Sequence, residues 1–373
     1  MNNHLHVISF DNPYPPNYGG VIDVFYKLKA LQQAAVKVTL HVFEYGRNRN
    51  PTLEEICDTV YYYPRRTFVN PFSGTLPYIV STRNDVQLLQ NLLADEAPIL
   101  FEGLHSCFFL NHPDLANRKK LVRMHNIEHD YYRKLEDVEG NFFKKYFFSK
   151  EADRLEKFES VLTHATVIFA ISPNDKKALE KRYHQVKLLP AFHANTQLTN
   201  RCGMGNFAFY HGNLSVGEND EAAKFLVTQV FNRLQYPLII AGNNPSSALK
   251  TLVEAHPHIT LLQNVSTEKI TELTQQAHIN VLPTFQNTGI KLKLINVLFQ
   301  GRWVLANKTM VENTGLENLC VVANSAEDMC IEINKLIQET FVEQELQKRE
   351  KVLNTFFNNN NNIHPILRII ATP

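Results

Sequence analysis

P-T-F-Q-N-T-G-I-K-L-K-L-I-N-V-L-F-Q-G-R-W-V-L-A-N, residues 283–307, changes its pattern twice. It follows an apolar run, His278 to Leu282, that reads as a strand. A polar loop leads to Gly289. Ile290, Leu294, Val297 and Leu298 then recur at three- and four-residue spacing, which predicts a helix. Gly301 ends that helix, and Trp303 to Ala306 reads as a second short strand. A strand, loop, helix and strand in this order is a unit of an α/β domain. Lys291 and Lys293 fall in the first turn of the predicted helix. Cations there oppose the helix dipole, so helix stability does not account for them. An anion such as a diphosphate, bound at the free N–H groups of the helix start, does. The competing reading is two solvated lysines on a surface helix.

The same unit recurs upstream. Leu5 to Phe10 is predicted as the first strand, running into D-N-P-Y-P-P-N-Y-G-G. A helix with Val21, Val24, Phe25, Leu28 and Leu31 on one face follows, then a strand from Lys37 to Phe43. Gly19 and Gly20 permit close backbone approach at a strand end, where ligands of open α/β sheets bind. The loop is not G-x-G-x-x-G, and no acidic residue clearly closes the second strand, so a nicotinamide cofactor is a weak reading. Thr59 to Tyr63, Ile99 to Phe101, Lys120 to Met124, Thr166 to Ile171 and Val186 to Leu189 are further strands. Ile99–Phe101 ends in E-G-L-H, carrying Glu102 and His105. Lys120–Met124 ends in H-N-I-E-H, carrying His125 and Glu128. Three strand ends thus deliver loops to one sheet edge: Gly19-Gly20, Glu102/His105 and His125/Glu128. H-N-I-E-H is not H-E-x-x-H, and no metal site is expected there.

Residues 64–82, rich in Pro, Arg and aromatics, read as a long loop. Tyr131 to Thr163 reads as helix, broken near Gly140. Within it, F-F-K-K-Y-F-F at 142–148 reads first as a helix that buries its aromatics and extends its lysines into water. Contact with an anionic membrane surface is the competing reading. Ser172 and Pro173 form an N-cap and N1 pair. A polar, glycine-containing stretch at 192–205 marks a domain boundary, and the pattern restarts with Phe207 to Tyr210, Leu238 to Ala241 and Ile259 to Leu262. Val321–Val322 is a last short strand. The expected organisation is 1–192, 193–340 and a C-terminal helix and tail, 341–373, whose apolar end packs back on the first domain. The asparagine run 358–362 is expected to be a loop or mobile link.

Composition sets bounds. A chain of 373 residues exceeds one ordinary core, so two domains are expected. A formal net charge of +1 argues against a dedicated nucleic-acid binder. Five scattered cysteines, with no C-x-x-C pair, read as reduced thiols of a cytoplasmic protein. No apolar run long enough to span a bilayer and no secretory signal are seen.

Several motifs, in order, resemble the retaining family 4 glycosyltransferases of GT-B fold. They are P-x-N-Y-G-G after the first strand, the strand-terminal His125, F-A-I-S-P-N at 169–174 and L-L-P-A-F-H at 188–193. F-Y-H-G-N-L-S at 209–215, I-A-G-N at 240–243 and T-G-I-K-L-K-L-I-N-V-L-F-Q-G follow. The resemblance spans nearly the whole chain. It implies two doubly wound Rossmann-like domains facing across a cleft, with the acceptor on the first and a nucleotide-sugar donor on the second. It implies retaining transfer of a hexosyl-type sugar to a glycan or lipid-linked acceptor, in polysaccharide assembly.

His125, Glu128, Lys291 and Lys293 are then the expected catalytic residues. Gly19, Gly20, Asn213, Ser215, Asn243, Asn287, Thr288, Gly289 and Asn296 are expected at the donor, and Glu102 and His105 on the acceptor side. No cofactor and no obligatory metal are expected, since no D-x-D pattern is present. Localisation is expected to be cytoplasmic, with peripheral contact at the inner membrane surface left open by F-F-K-K-Y-F-F. The chain departs from the family at two places. The diphosphate-binding Arg and Lys after the first strand of the second domain fall on Asn213 and Glu218. The paired glutamates fall on Thr288 and Asn296. Two other functions therefore stay open: a sugar-nucleotide epimerase of the same fold, and a catalytically silent sugar-nucleotide-binding partner of another transferase.

Overall fold

The computed structural model describes residues 3–285, 291–312 and 314–371. The chain forms two compact units. One runs to Ala194 and resumes at Phe357; the other takes the described residues from Asn195 to Phe356.

The first unit is built on seven parallel strands: β1 (His4–Ser9), β2 (Lys37–Glu44), β3 (Thr59–Pro64), β4 (Ile99–Glu102), β5 (Lys120–Met124), β6 (Val167–Ala170) and β7 (Val186–Leu188). Their order is β3-β2-β1-β4-β5-β6-β7. The second unit carries β8 (Ala208–His211), β9 (Leu238–Ala241), β10 (Ile259–Leu262), β11 (Ile279–Leu282), β12 (Trp303–Ala306) and β13 (Val321–Val322). Their order is β10-β9-β8-β11-β12-β13, again all parallel. Helices bury the central strands on both faces, which is why β4, β6, β9 and β12 read as short apolar runs, while β1 and β2 alternate polar and apolar residues. In each sheet the order reverses beside the first strand, between β1 and β4 and between β8 and β11. Such switch points open a crevice at the strand carboxyl ends, where ligands bind.

The ends of the elements follow local chemistry. Ser172 caps the helix Pro173–Glu180 by accepting the Asp175 N–H, an interaction worth about 1 kcal/mol. The helix Leu292–Gln300 starts two residues later than its pattern, which begins at Ile290, suggests. Lys291 is its N-cap, and Lys293 lies in its first turn. Gly301 ends it in extended backbone (φ −93°) rather than in the left-handed form usual for a C-cap glycine. A Cβ at Gly301 would lie 2.3 Å from the Asn280 side-chain nitrogen, so close packing on β11 requires the glycine. Asn287, Thr288, Gly289 and Ile290 lie outside the described residues.

The C-terminal segment divides. The helix Glu343–Phe356 goes with the second unit, where Arg349 Nη1 donates to the Gly301 carbonyl at 2.6 Å. From Phe357 the chain belongs to the first unit, and Ile363, Ile366 and Ile370 are buried in the same core as Leu5, Val7 and Leu28. The asparagine run is not a loose link. Asn358 caps the short helix Asn359–Asn362, and Asn359 exchanges hydrogen bonds with the His193 backbone. Asparagine side chains carry both donors and acceptors, so a run of them can cap and cross-link where it cannot fill a core.

Candidate functional site

At the switch point of the first sheet, five ionisable side chains from three elements meet. Asp23 and Lys27 sit one turn apart on the helix Gly19–Gln33. Glu102 ends β4, Arg123 lies within β5 and His125 follows it. All five are buried. Lys27 Nζ donates to Asp23 at 3.0 Å and to the two Glu102 oxygens at 2.7 and 2.9 Å. Arg123 Nε and Nη2 donate to the two Asp23 oxygens at 3.1 and 3.2 Å. Burial would raise the Asp23 carboxyl, but the charges of Arg123, Lys27 and His125 outweigh it and hold it well below the usual range. Burial also opposes ionisation of Glu102; Lys27 and the His125 hydrogen bond prevail and lower it. An ionised Glu102 can only accept, so in the 2.9 Å contact with Glu102 the His125 Nε2 is the donor. Two acids, one lysine and one arginine thus fix the tautomer and aim of one histidine.

Glu102 was expected on the acceptor side. It is fully enclosed, with both oxygens occupied. It holds the His125 ring and has no free oxygen for an acceptor. The Phe10 ring lies 5.4 Å from both the His105 and His125 rings. A Cβ on Gly20 would lie 2.7 Å from its Cζ, so the second glycine of the Gly-Gly pair makes room for this ring.

His105 and Glu128 form a second feature of the same edge. His105 Nδ1 and Glu128 Oε1 face each other at 3.8 Å, and both atoms are buried without a hydrogen-bond partner. Burial lifts the Glu128 carboxyl to about 8, against an Asn126 hydrogen bond and the Arg83 charge. Burial and Arg83 hold His105 well below its ordinary range. At neutral pH the pair is therefore a protonated acid beside a neutral imidazole. A protonated Glu128 can donate to a hydroxyl oxygen, and His105 can accept. Buried groups left unpaired in this way are costly and mark sites that await a partner.

A raised folded-state value means that this carboxyl's contribution is fully present below its unfolded value near 4.5 and is lost as pH climbs to about 8. Glu128→Gln should therefore match the wild type in stability near pH 4 and exceed it near pH 9. The expected excess is a few kcal/mol, because each tenfold change in proton affinity is worth roughly 1.4 kcal/mol. Urea unfolding at the two pH values measures it, and parallel pH profiles would contradict it.

In the second unit, the loop after β8 runs from Gly212 through Asn213 and Ser215. Asn213 Oδ1 accepts from the Ser215 N–H and hydroxyl at 3.2 and 2.8 Å. The Asn219 amide donates to the Asn213 carbonyl at 3.0 Å. Lys293 reaches into this loop from the helix after β11. Its Nζ donates to Asn219 Oδ1 at 3.0 Å, lies 4.8 Å over the Tyr210 ring, and comes within 2.9 Å of where a Gly212 Cβ would stand. Burial, with Lys291 adding to it, lowers the ammonium to about 8 against the pull of Glu218. The loop that lacks an arginine and a lysine of its own thus receives a cation from another element. Glu218 is bonded to the Thr284 hydroxyl and places an acid beside that cation. At the adjacent strand end, a Gly242 Cβ would lie 2.0 Å from the Gly212 carbonyl oxygen. Only glycine lets the loops after β8 and β9 touch. Asn243, next in sequence, accepts the Asn264 N–H at 3.1 Å. Asn296 is turned toward Asn195, accepting at 2.7 Å.

The sequence motifs named His125 and Lys293 but not the residues that set them. Asp23 and Lys27 had a signal: an acid and a base four apart beside Val24 and Leu28 on the buried face of a helix. Arg123 had one too, as a charge inside the apolar strand K-L-V-R-M.

No family model matches the chain. An uncharacterized 44.6 kDa protein in the cps region of Klebsiella pneumoniae is 26% identical over 339 residues, covering 85% of this chain and 87% of that protein. Among solved structures, HepE of Anabaena in complex with UDP and glucose aligns over 100% of both chains with a TM-score of 0.66 at 11% identity. A variant of S. aureus TarM in complex with fondaparinux, alpha-GlcNAc-glycerol and UDP aligns over 100% of both chains with a TM-score of 0.67 at 10% identity. The chain has the α/β two-domain fold of the GT-B glycosyltransferases.

Proposed function

We propose that the protein is a retaining glycosyltransferase that moves a hexosyl-type sugar from a nucleotide-diphosphate donor to a glycan or lipid-linked acceptor in polysaccharide assembly. One observation carries the reading. Lys293 delivers its ammonium to the Gly212 loop, at the switch point of the second sheet, where the fold's relatives would need a cation. The UDP held by HepE and TarM makes a uridine nucleotide the first donor to test. The cps region named for the Klebsiella relative is in keeping with a polysaccharide product.

In this reading Lys293, with Lys291, stabilises charge developing on the leaving diphosphate. The loop residues Asn213, Ser215 and Asn243 contact the donor, as does Asn296. His125, fixed by Glu102, orients the donor sugar. The Glu128 and His105 pair binds the acceptor hydroxyl. The cations come from the chain itself, and the carboxylates beside His125 are already neutralised by Lys27 and Arg123, so transfer needs no metal. Turnover is expected to survive chelation; loss with chelator and recovery with Mn²⁺ or Mg²⁺ would refute that point.

Donor consumption with and without acceptor tests the function itself. Consumption that depends on acceptor supports transfer. Turnover of UDP-N-acetylglucosamine without acceptor would make the chain an epimerase. Binding of nucleotide without consumption under any condition would make it a silent partner.

A further inference from the structure

The segment F-F-K-K-Y-F-F half-buries Phe147 and Phe148 but leaves its other three aromatics exposed. In the helix Phe142–Phe158, Phe142 and Phe143 are 76% and 78% exposed, and Tyr146 is also exposed. The loop 64–82 is fastened beside it. Glu151 accepts the N–H groups of Tyr78 and Ile79 at 2.9 Å each, and Arg154 donates to the carbonyls of Pro71 and Phe72. Phe72 stacks on Tyr146 with centroids 5.8 Å apart. The fastened loop adds Phe72 to this surface, and Phe68, four residues earlier in the loop, is exposed in full. A helix and a loop held together by four hydrogen bonds thus present aromatic rings to solvent, which soluble surfaces seldom do without a partner.

The charge of this surface is mostly positive, with Glu139 at its edge accepting the Asn141 N–H. Segments 64–82 and 141–150 contain Arg65, Arg66, Lys144, Lys145 and Lys150, and no acidic residue. Lys144, Lys145 and Lys150 are exposed and form no salt bridge among the described residues. Exposed phenylalanines flanked by unpaired cations fit a bilayer interface with anionic lipid, where rings enter the acyl boundary and lysines meet headgroups. A protein groove would have to answer both the rings and the three lysines at once.

We propose that this face of the first unit docks on anionic membrane. The inference stands apart from the transferase reading, because binding to lipid is measured without substrate.

Sedimentation of the full chain with vesicles tests it. Vesicles of phosphatidylcholine alone should not pull down the protein, and adding phosphatidylglycerol should. Binding should weaken steeply with salt, as the screening length falls to about 10 Å at 0.1 M. Lys144→Gln/Lys145→Gln should lower partitioning about 25-fold, from about 1 kcal/mol per charge. Phe142→Ser/Phe143→Ser should abolish binding, with thermal unfolding unchanged because both side chains lie at the surface. Equal binding to both vesicle types, or none to either, would overturn the proposal. So would sedimentation velocity showing an oligomer that Phe142→Ser/Phe143→Ser dissolves while vesicles capture nothing.

Discussion

Lys27→Met is expected to cost the first unit about 3–5 kcal/mol, the range for removing one partner of a buried ion pair. The lysine bonds both Asp23 and Glu102. Its loss leaves Glu102 enclosed with only His125 to answer its charge and leaves Asp23 with Arg123, His125 and the Phe192 N–H. Methionine keeps most of the volume, so the expected loss is electrostatic rather than a cavity effect. Urea unfolding followed by far-UV ellipticity reads the change. The single tryptophan, Trp303, lies on β12 and reports the second unit by its fluorescence. Adding Glu102→Gln to Lys27→Met should recover part of the loss, since it removes the stranded charge. A cost below about 1 kcal/mol, or no recovery in the double variant, would mean the cluster is not held as described.

Lys293→Ala is expected to lower kcat/KM by about 10²–10³, the usual cost of removing one preorganised group that stabilises developing negative charge. Its effect should fall mainly on kcat if the cation acts on the leaving diphosphate and mainly on KM if it serves ground-state binding alone. The pH dependence gives a second reading. The unliganded ammonium is lowered to about 8, so above that value diphosphate binding must take up a proton. Affinity should therefore decline as pH rises past 8 in the wild type and show no such step in Lys293→Ala. Unchanged turnover in the variant would remove Lys293 from the mechanism.

The central strands were legible because parallel, doubly covered strands are short apolar runs, and in this chain polar loops separate them cleanly. The sequence placed Leu238–Ala241, Ile259–Leu262 and Trp303–Ala306 at the observed bounds. Sheet order and the meeting of side chains were not legible, because they depend on which strands become neighbours. Lys293 is the clearest case. Its spacing suggested an anion at its own helix, whereas its side chain extends to the loop after β8, which its helix's packing brings within reach. Glu102 is the converse: a strand-end acid that looks available in sequence is consumed by Lys27, 75 positions earlier. The exposed face of Phe142 and Phe143 was misread because aromatics at helical spacing usually mark a core, and nothing local tells which face a neighbour covers.

The most direct test of the central claim is a thermal shift of the full chain and of Lys293→Ala against nucleoside diphosphates and their sugars. A ligand present at 100 times its dissociation constant adds about 2.7 kcal/mol. The account predicts a selective rise with one diphosphate, uridine diphosphate first among them, that is largely lost in Lys293→Ala. No shift with any nucleotide, or an equal shift in the variant, would contradict it.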